Sequence, residues 1–391
     1  MAVLPTTAPE YVRRVRAALR RALPALLIYV VLRAVGVGWL AYRTHGFGPQ
    51  LYGLLTQAYD ASFYRSIAVH GYGPSPRVGC SINTLDCKYA FFPFYPGLIR
   101  VSNHLLPGPP HLLAWAIAIA CALLGAWGIF AVTDLVAGQE AAVYAVALWA
   151  IVPHAMIESM AYSEPVFTAF ASWALYAVLK QRWGVTVVLT IVAGLTRPVG
   201  IALVLAIEVA LGVAVWGTRA NLDARQKAKF AACMLLAPLG WVGWIAWVGY
   251  RTGSWNGYQH IQATWHTNFD FGRFTLSHVL AVFDTRTVYL ESVVAMATLV
   301  GAVTLLVLSI QQRDRLPLLV YSLGMVVLAV GSAGYFNSKA RYLLPAFPLL
   351  LPMARALARA RLQAGITIVA AATVLSALYG GYLLTTFQWS P

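Results

Sequence analysis

Asp60 is the one carboxylate in an aromatic-rich segment, residues 51–69. A single carboxylate among aromatic residues is a candidate for acid–base chemistry. Apolar residues recur there at helical spacing but are interrupted by polar ones, which predicts a helix lying at a membrane surface. A carboxylate partly removed from water gains affinity for protons and can serve as a general base. Tyr64, one turn later, and His70, just after the segment, are candidate substrate ligands. The alternative is a solvated surface acid or one that stabilises a helix end.

Arg197 lies inside a long apolar stretch with little other charge. An arginine at bilayer depth costs roughly 2.5–3.5 kcal/mol, so it usually faces a protein cavity or water and has a partner there. The following Pro198 interrupts the helix and exposes backbone groups. Arg197 is therefore a candidate ligand for a phosphate or a carboxylate. The alternative is a short hairpin tip whose arginine reaches back to the membrane surface.

Lys339 and Arg341 place two cations, together with Tyr342, at the edge of a late apolar region. Arginine makes bidentate contacts with phosphate, so this cluster predicts a site for a lipid-linked phosphate. The alternative is attraction of ordinary lipid head groups, which requires no specific geometry.

Glu164 precedes Pro165 at the start of a predicted helix. The helix dipole favours an acid at this position and proline fits the first turn, which explains Glu164 without a function. The neighbouring Tyr162 and Ser163 favour a second interpretation, in which this turn recognises the hydroxyl groups of a sugar.

Neither the histidines nor the acids predict a metal site. The histidines lack the short spacing of a ligand set, and Asp60 has no adjacent acid. The sequence does not exclude binding of a divalent cation, but no residue pattern supports it. Cys80 and Cys87 share a polar loop and would form a disulfide bond if that loop faces an oxidising compartment; the alternative is two unpaired thiols.

The composition excludes an ordinary soluble enzyme. Of 391 residues, 60% are hydrophobic and only 10% are charged, whereas soluble domains carry about 25% charged residues. The net charge of +15 comes largely from clusters of Lys and Arg between apolar runs, which the positive-inside rule assigns to cytoplasmic loops. We therefore predict an all-α polytopic membrane protein surrounded by lipid, with no nucleic-acid partner.

About eleven membrane-spanning helices are predicted in a single domain, residues 1–391. Their ranges are 24–42, 111–133, 141–157, 161–180, 184–196, 198–216, 231–249, 287–310, 317–334, 345–357 and 362–384. If the N-terminus is cytoplasmic, alternation places every basic cluster inside. The same alternation puts two large loops outside: 43–110, with Asp60 and interfacial helices, and 250–286.

Four motifs in order carry a resemblance to a known family. They are "YDASFYRSIAVHGY" (59–72) with "YAFFPFYPGLIR" (89–100), "AYSEP" (161–165), "GLTRPVG" (194–200) and "ARYLLPAFPLL" (340–350). Together they resemble the GT-C glycosyltransferases, specifically the branch of the second mannosyltransferase of GPI-anchor assembly and its bacterial relatives. The chain departs from that pattern at Tyr59, where Trp is typical, and in an insert at 73–88, which leaves the acceptor open.

The resemblance implies a role for each matching residue. Asp60 matches the catalytic acid–base position, Arg197 and Arg341 match positions for the donor phosphate, and Glu164 matches the carboxylate of the family's Tyr-Ser-Glu turn. The leaving group is already a phosphate, so arginines or Lys339 would stabilise its charge while Asp60 takes a proton from the acceptor.

The resemblance also implies the reaction and its location. The expected activity is an inverting transfer of a sugar, mannose by resemblance, from a polyprenyl-phosphate donor to a hydroxyl of a lipid, glycan or protein acceptor. We expect a GT-C-like bundle in a bacterial plasma membrane, with an extracytoplasmic active site. The alternatives are a transporter or flippase for a lipid-linked sugar, and a non-catalytic scaffold subunit.

Overall fold

Helices account for nearly all of the described chain, which in this computed structural model comprises residues 10–73, 87–218, 222–284 and 289–387. Within those ranges the only β pairing is a single bridge between Phe269 and Ser332. The α-helices are α1 (Glu10–Arg43), α2 (Pro49–Thr56), α3 (Asp60–His70), α4 (Phe94–Leu105), α5 (Pro110–Ala137), α6 (Gln139–Ala150), α7 (Ser163–Leu179), α8 (Trp183–Gly194), α9 (Gly200–Thr218), α10 (Ala224–Leu236), α11 (Leu239–Thr252), α12 (Gly257–Thr264), α13 (Arg273–Asp284), α14 (Leu290–Gln311), α15 (Leu316–Gly331), α16 (Lys339–Tyr342), α17 (Leu351–Arg359) and α18 (Leu362–Thr385). The all-α prediction is confirmed.

Five of these helices are long and apolar enough to cross a membrane, namely α1, α5, α9, α14 and α18. Helices α10 and α11 form a sixth candidate span with a bend of 43° between them. The chain is a multi-pass membrane protein. Its orientation in the membrane stays a prediction.

The other five predicted spans correspond to shorter helices. Helices α6 and α8 have 12 residues each, α7 has 17, α15 has 16 and α17 has 9. At 1.5 Å per residue, a helix of 9 to 17 residues falls short of a hydrocarbon core about 30 Å thick. By length and composition the described residues therefore give five or six spans rather than eleven. The prolines at 345–352 account for one difference, because a 3₁₀ turn at Phe347–Leu350 precedes α17.

The helices alternate between two ends of the bundle. At one end, Arg21 of α1 forms two hydrogen bonds with Asp134 near the end of α5. At the other end, Arg43 of α1 donates to the hydroxyl groups of Thr385 and Thr386 at the end of α18. The connections 195–199 and 332–350 lie at the same end as the start of α7, because residues from all three contact one another there.

Small residues allow the central helices to approach closely. Helices α5 and α7 pack along buried alanines and glycines. A Cβ atom on Gly128 would lie 2.1 Å from the Ser172 hydroxyl, so only glycine fits at this crossing. The core around this contact includes Trp149, which is stacked on Tyr29 and donates its indole N–H to the Leu344 carbonyl.

The described part of the first large loop contains three α-helices, and it corrects one prediction. Residues 51–69 do not form one interfacial helix: α2 ends at Thr56, and α3 begins at Asp60. Tyr59 between them has a φ of +53°, which interrupts the helix and is uncommon for a residue with a side chain. The apolar residues of both helices are buried against α4 and α5. Asp60 is consequently a first-turn residue rather than one in mid-helix.

Candidate active site

A cavity of about 900 Å³ opens at the end of the bundle where α3 begins. Four connecting segments from distant parts of the sequence meet α3 there. The lining residues are Tyr59, Asp60, Phe63, Tyr64, Ala90, Phe91, Phe92, Thr196, Arg197, Pro198, Gln262, Thr264, Trp265, His266, Thr267, Tyr335, Ser338, Arg341 and Tyr342. Aromatic rings next to a few convergent charged groups are typical of a site for a partly polar ligand. We call this space the active-site cavity.

Asp60 contacts two other candidate residues, Arg341 and Tyr162. Its side chain is 19% exposed and forms an ion pair through Oδ2 with Nη2 of Arg341. Its backbone N–H donates to the Tyr162 hydroxyl at 3.3 Å. The position at the start of α3 also favours a negative charge through the helix dipole. These contacts fix the side chain of Asp60 at the cavity wall.

Arg341 connects two carboxylates. Its Nη2 contacts Asp60, while its Nε donates to Oε1 of Glu164. The guanidinium lies 4.6 Å from the centre of the Tyr162 ring, close enough for a cation–π contact. Burial opposes the positive charge, but Asp60 and Glu164 outweigh it, so the pKa of Arg341 is raised well above its ordinary value. The cation is therefore permanent.

Arg197 approaches the same carboxylate from another direction. Its Nη1 lies 2.7 Å from Oε2 of Glu164 and donates to the Ser163 hydroxyl at 2.8 Å. Its Nε is buried and has no hydrogen-bond partner in the described part of the chain. One buried donor of Arg197 is therefore unpaired within the described residues.

The turn that carries Arg197 is fixed from both sides. The indole N–H of Trp241 donates to the Pro198 carbonyl at 2.8 Å. The backbone N–H of Phe94 donates to the Leu195 carbonyl at 3.0 Å. A Cβ atom on Gly194 would lie 2.9 Å from the Trp241 backbone nitrogen, so a glycine permits this close approach. These contacts set the direction in which Arg197 leaves the turn.

Glu164 and Tyr162 lie behind the arginines rather than at the cavity wall. Glu164 is 1% exposed, Tyr162 is fully buried, and neither lines the cavity. The interpretation that this turn recognises sugar hydroxyls therefore does not fit the structure, since Arg197 and Arg341 stand between Glu164 and the open space. Glu164 instead positions the two guanidinium groups with its two oxygens.

Tyr64 and Tyr342 do line the cavity. The Tyr64 hydroxyl is 2.6 Å from the Ser163 hydroxyl. Ser163 thereby links Tyr64 to Arg197. Both tyrosines were candidate substrate ligands, and their location at the wall agrees with that role.

Lys339 does not reach the cavity. Its side chain is buried, and its ammonium group donates to the carbonyls of Ala329, at 2.9 Å, and of Ser332. These carbonyls lie at the end of α15, where a helix leaves acceptors unsatisfied. The cation therefore caps a helix instead of binding a phosphate. Burial lowers the pKa of Lys339 to about 8, partly opposed by Asp270.

His70 is also remote from the cavity. It lies at the last residue of α3, is exposed, and is not among the lining residues. Ten residues separate it from Asp60, and at 1.5 Å per residue this puts the two at opposite ends of a helix about 15 Å long. The geometry of α3 explains why it is not a ligand here.

The second large loop forms part of the cavity wall, and its Trp265 lines the cavity. Gln262, Thr267, Tyr335 and Ser338 were not predicted, because single polar residues in a loop carry no periodic signal. Gln262 accepts from the Thr267 hydroxyl at 2.6 Å, which orders this wall.

The remaining predictions about metals and cysteines concern other parts of the chain. The described residues contain no group of three or more His, Cys, Asp or Glu side chains that could hold a metal ion. Cys80 lies outside the described residues, so its pairing with Cys87 stays a prediction.

Solved structures with a similar fold exist. ArnT from Cupriavidus metallidurans bound to undecaprenyl phosphate matches with a TM-score of 0.52 and 20% identity, over 88% of this chain and 63% of ArnT. This chain has a GT-C fold. The resemblance inferred from the four motifs is thus confirmed at the level of fold.

Two further structures show similar values. ArnT in the apo state has a TM-score of 0.51 and 18% identity, with the same coverage of both chains. The Archaeoglobus fulgidus oligosaccharyltransferase AglB, in complex with an inhibitory peptide and a dolichol-phosphate, has a TM-score of 0.49 and 14% identity over 92% of this chain and 56% of AglB. This chain spans less than two thirds of the length of either protein. No family model and no curated protein matches the sequence.

Proposed function

We propose that this chain is an inverting glycosyltransferase that uses a polyprenyl-phosphate sugar as donor. The observation that carries the proposal is the meeting of Asp60, Arg197 and Arg341 in one cavity, with Asp60 paired directly to Arg341. A carboxylate beside two guanidinium groups suits a reaction that removes a proton and releases a phosphate. The ArnT structure with undecaprenyl phosphate supports this class of donor.

The arginines receive the donor phosphate in this proposal. Arg197 and Arg341 are buried to more than nine tenths yet line the cavity. Guanidinium groups fixed in advance stabilise charge on a leaving phosphate without reorganisation during the reaction.

Asp60 acts as the general base. It takes the proton from the acceptor hydroxyl while the acceptor oxygen forms a bond to the anomeric carbon, and the bond between that carbon and the phosphate oxygen breaks. The electron pair of that bond leaves with the polyprenyl phosphate, and the configuration inverts. The proton on Asp60 then passes to solvent or to the released phosphate.

The ion pair between Asp60 and Arg341 suggests an order of binding. While the pair is intact, Oδ2 of Asp60 is occupied by Nη2 of Arg341. A donor phosphate that contacts Arg341 competes with Asp60 for this cation. The carboxylate is then released to contact the acceptor hydroxyl, so the base becomes available with the donor in place.

The remaining features concern the sugar and the location. Mannose is proposed from the motif resemblance, and the aromatic wall with Trp265 and Phe91 offers faces for a pyranose. We place the site on the extracytoplasmic side of a bacterial plasma membrane, since the basic clusters lie at the opposite end of the bundle.

The test is transfer by the purified protein in detergent with radiolabelled polyprenyl-phosphate mannose and a membrane lipid extract as acceptor. Asp60→Asn should lower the transfer rate about 10²–10⁴-fold, the usual contribution of a general base. Asp223→Asn is the matched control, because Asp223 is an exposed N-cap residue of α10 and Asn caps a helix equally well.

The outcomes separate the alternatives. Near wild-type transfer by Asp60→Asn refutes the base assignment. Donor binding without turnover by the wild type favours a scaffold subunit, and movement of the donor across vesicle membranes without transfer favours a flippase.

A further inference from the structure

A second set of charged residues surrounds two adjoining cavities at the end of the bundle remote from Asp60. The cavities have volumes of about 400 and 460 Å³ and share Val136, Arg355 and Arg359. Arg313, Asp314 and Arg315 line the first, and the start of α6, residues 138–141, lines the second. We call the two together the basic cleft. Helix α15, 16 residues or about 24 Å long, separates it from the active-site cavity.

We propose that the basic cleft binds the phosphate group of an anionic phospholipid. Four arginines line it against two carboxylates, Asp314 and Glu140, leaving a net charge of +2. No carboxylate in the described residues pairs with Arg313, Arg315 or Arg359. Their positive charge is therefore available to a ligand.

One arginine of the cleft is held in place in advance. Arg355 is 16% exposed and pairs through Nη2 with Asp314, whose side chain is 2% exposed. Its Nη1 donates to Oε1 of Gln312 at 2.8 Å. These contacts anchor the guanidinium at the floor of the cleft, where Arg355 borders both cavities. A fixed guanidinium at the bottom and exposed arginines at the rim suit a phosphate.

The start of α6 adds backbone donors on the other side. Its N-cap is Gly138, which provides no side-chain hydrogen bond to the first turn. The N–H groups at the start of a helix of 12 residues are unsatisfied and attract anions. Arg355 and Arg359 face this turn across the second cavity. Arginines and a helix terminus thus converge on one space.

The surroundings favour a lipid over a dissolved phosphate. Leu135, next to Val136, is 39% exposed, and Leu316, next to Arg315, is 41% exposed. Both leucines belong to helices at the lipid-facing surface of a membrane protein. A phosphate bound in the cleft would thus have apolar surface beside it for acyl chains. Basic pockets between membrane helices are known to hold anionic head groups.

The test compares two double variants that each remove two exposed arginines from the same end of the bundle. Arg313→Gln/Arg359→Gln alters the basic cleft, whereas Arg16→Gln/Arg20→Gln alters α1 outside it. Retained phosphatidylglycerol is measured by native mass spectrometry after purification and titration with this lipid. Each cation near an anionic head group contributes about 1 kcal/mol, so affinity should fall about 30-fold in the cleft variant only.

The outcomes decide between a specific site and general attraction. Equal losses of phosphatidylglycerol in both variants overturn the proposal, as does an unchanged affinity in the cleft variant. Phosphatidylcholine should bind equally weakly to all three proteins. Inorganic phosphate is titrated separately, with the melting temperature as readout. If it stabilises the wild type as strongly as phosphatidylglycerol does, the lipid assignment is wrong.

Discussion

The two ends of the bundle hold their arginines in opposite ways. In the active-site cavity, Arg197 and Arg341 are 7% and 6% exposed, and both contact Glu164. With Asp60 included, the positive and negative charges there are equal in number. In the basic cleft, three of the four arginines are exposed and pair with no carboxylate among the described residues.

This difference distinguishes two uses of arginine. In the active-site cavity the guanidinium groups have a fixed position, whereas in the basic cleft they contribute positive charge without one. A buried guanidinium needs a carboxylate, because an uncompensated charge inside a protein is strongly destabilising. The partner also fixes its direction, which a leaving phosphate requires. An exposed arginine needs no partner but moves freely, which suffices to attract a head group. Three substitutions at the active-site end, with two matched controls in the basic cleft, test this distinction.

Glu164→Gln should have the largest effect, because one amide cannot balance two buried cations. Removing one partner of a buried ion pair lowers the free energy of unfolding by about 3–5 kcal/mol. Transfer should also fall at least about a hundred-fold, since both arginines lose their direction. Chemical denaturation in detergent and the transfer assay measure the two effects.

The control for this change is Glu140→Gln in the basic cleft. Glu140 is exposed and forms no ion pair with another described residue. Its replacement should change the free energy of unfolding by no more than about 0.5 kcal/mol. Similar losses of unfolding free energy for Glu164→Gln and Glu140→Gln would contradict the proposed difference between the two ends of the bundle.

Arg341→Lys and Arg355→Lys sharpen the comparison by keeping the charge. Lysine places one ammonium where Arg341 uses two separate nitrogens for Asp60 and Glu164. We expect Arg341→Lys to lower transfer about 10²–10³-fold. Arg355→Lys should leave transfer within twofold of the wild type, because Arg355 lies outside the active-site cavity. Steady-state rates for both variants, at matched protein amounts, provide the measurement.

Lys339→Met should have the smallest effect on activity and a clear effect on stability. The change leaves the carbonyls of Ala329 and Ser332 without their donor, which lowers the free energy of unfolding by about 1–3 kcal/mol. The KM for the donor should not change, since Lys339 does not line the cavity. A raised KM for the donor would indicate that Lys339 does contact the donor phosphate.

The difference in unfolding free energy between the wild type and Lys339→Met should depend on pH. The folded pKa of Lys339, about 8, lies below the ordinary value of 10.5. Between these two values the unfolded chain holds more protons, so the stability of the wild type rises with pH. The gap between wild type and Lys339→Met should therefore widen from pH 8 to pH 10.5. Denaturation curves at several pH values test this.

Local sequence signals predicted the fold class and the three charged residues of the cavity wall. Hydrophobic runs identify membrane helices by length, and Asp60, Arg197 and Arg341 stood out because charges in apolar surroundings need a reason. Their meeting in one cavity agrees with the geometry expected from the four motifs. Their chemical roles stay predictions until transfer is measured.

Other features depended on contacts between distant positions and could not be predicted. The helix-start position explained Glu164 so well that its two arginine partners, in other segments, were not considered. Lys339 resembled a phosphate ligand because it is a cation at the edge of an apolar region, next to Arg341. The carbonyls that it caps lie at the end of α15, and the sequence around Lys339 does not indicate that contact. The break at Tyr59 has no sequence signal, since neither Gly nor Pro marks it.

The paired cations have a consequence for turnover. Under the proposed reaction the donor is a phosphodiester with one negative charge, whereas the spent carrier is a phosphomonoester with up to two at neutral pH. Arg197 and Arg341 would hold the second species more strongly than the first. Product inhibition by the discharged carrier, and slow release of it, would then limit the rate of successive cycles.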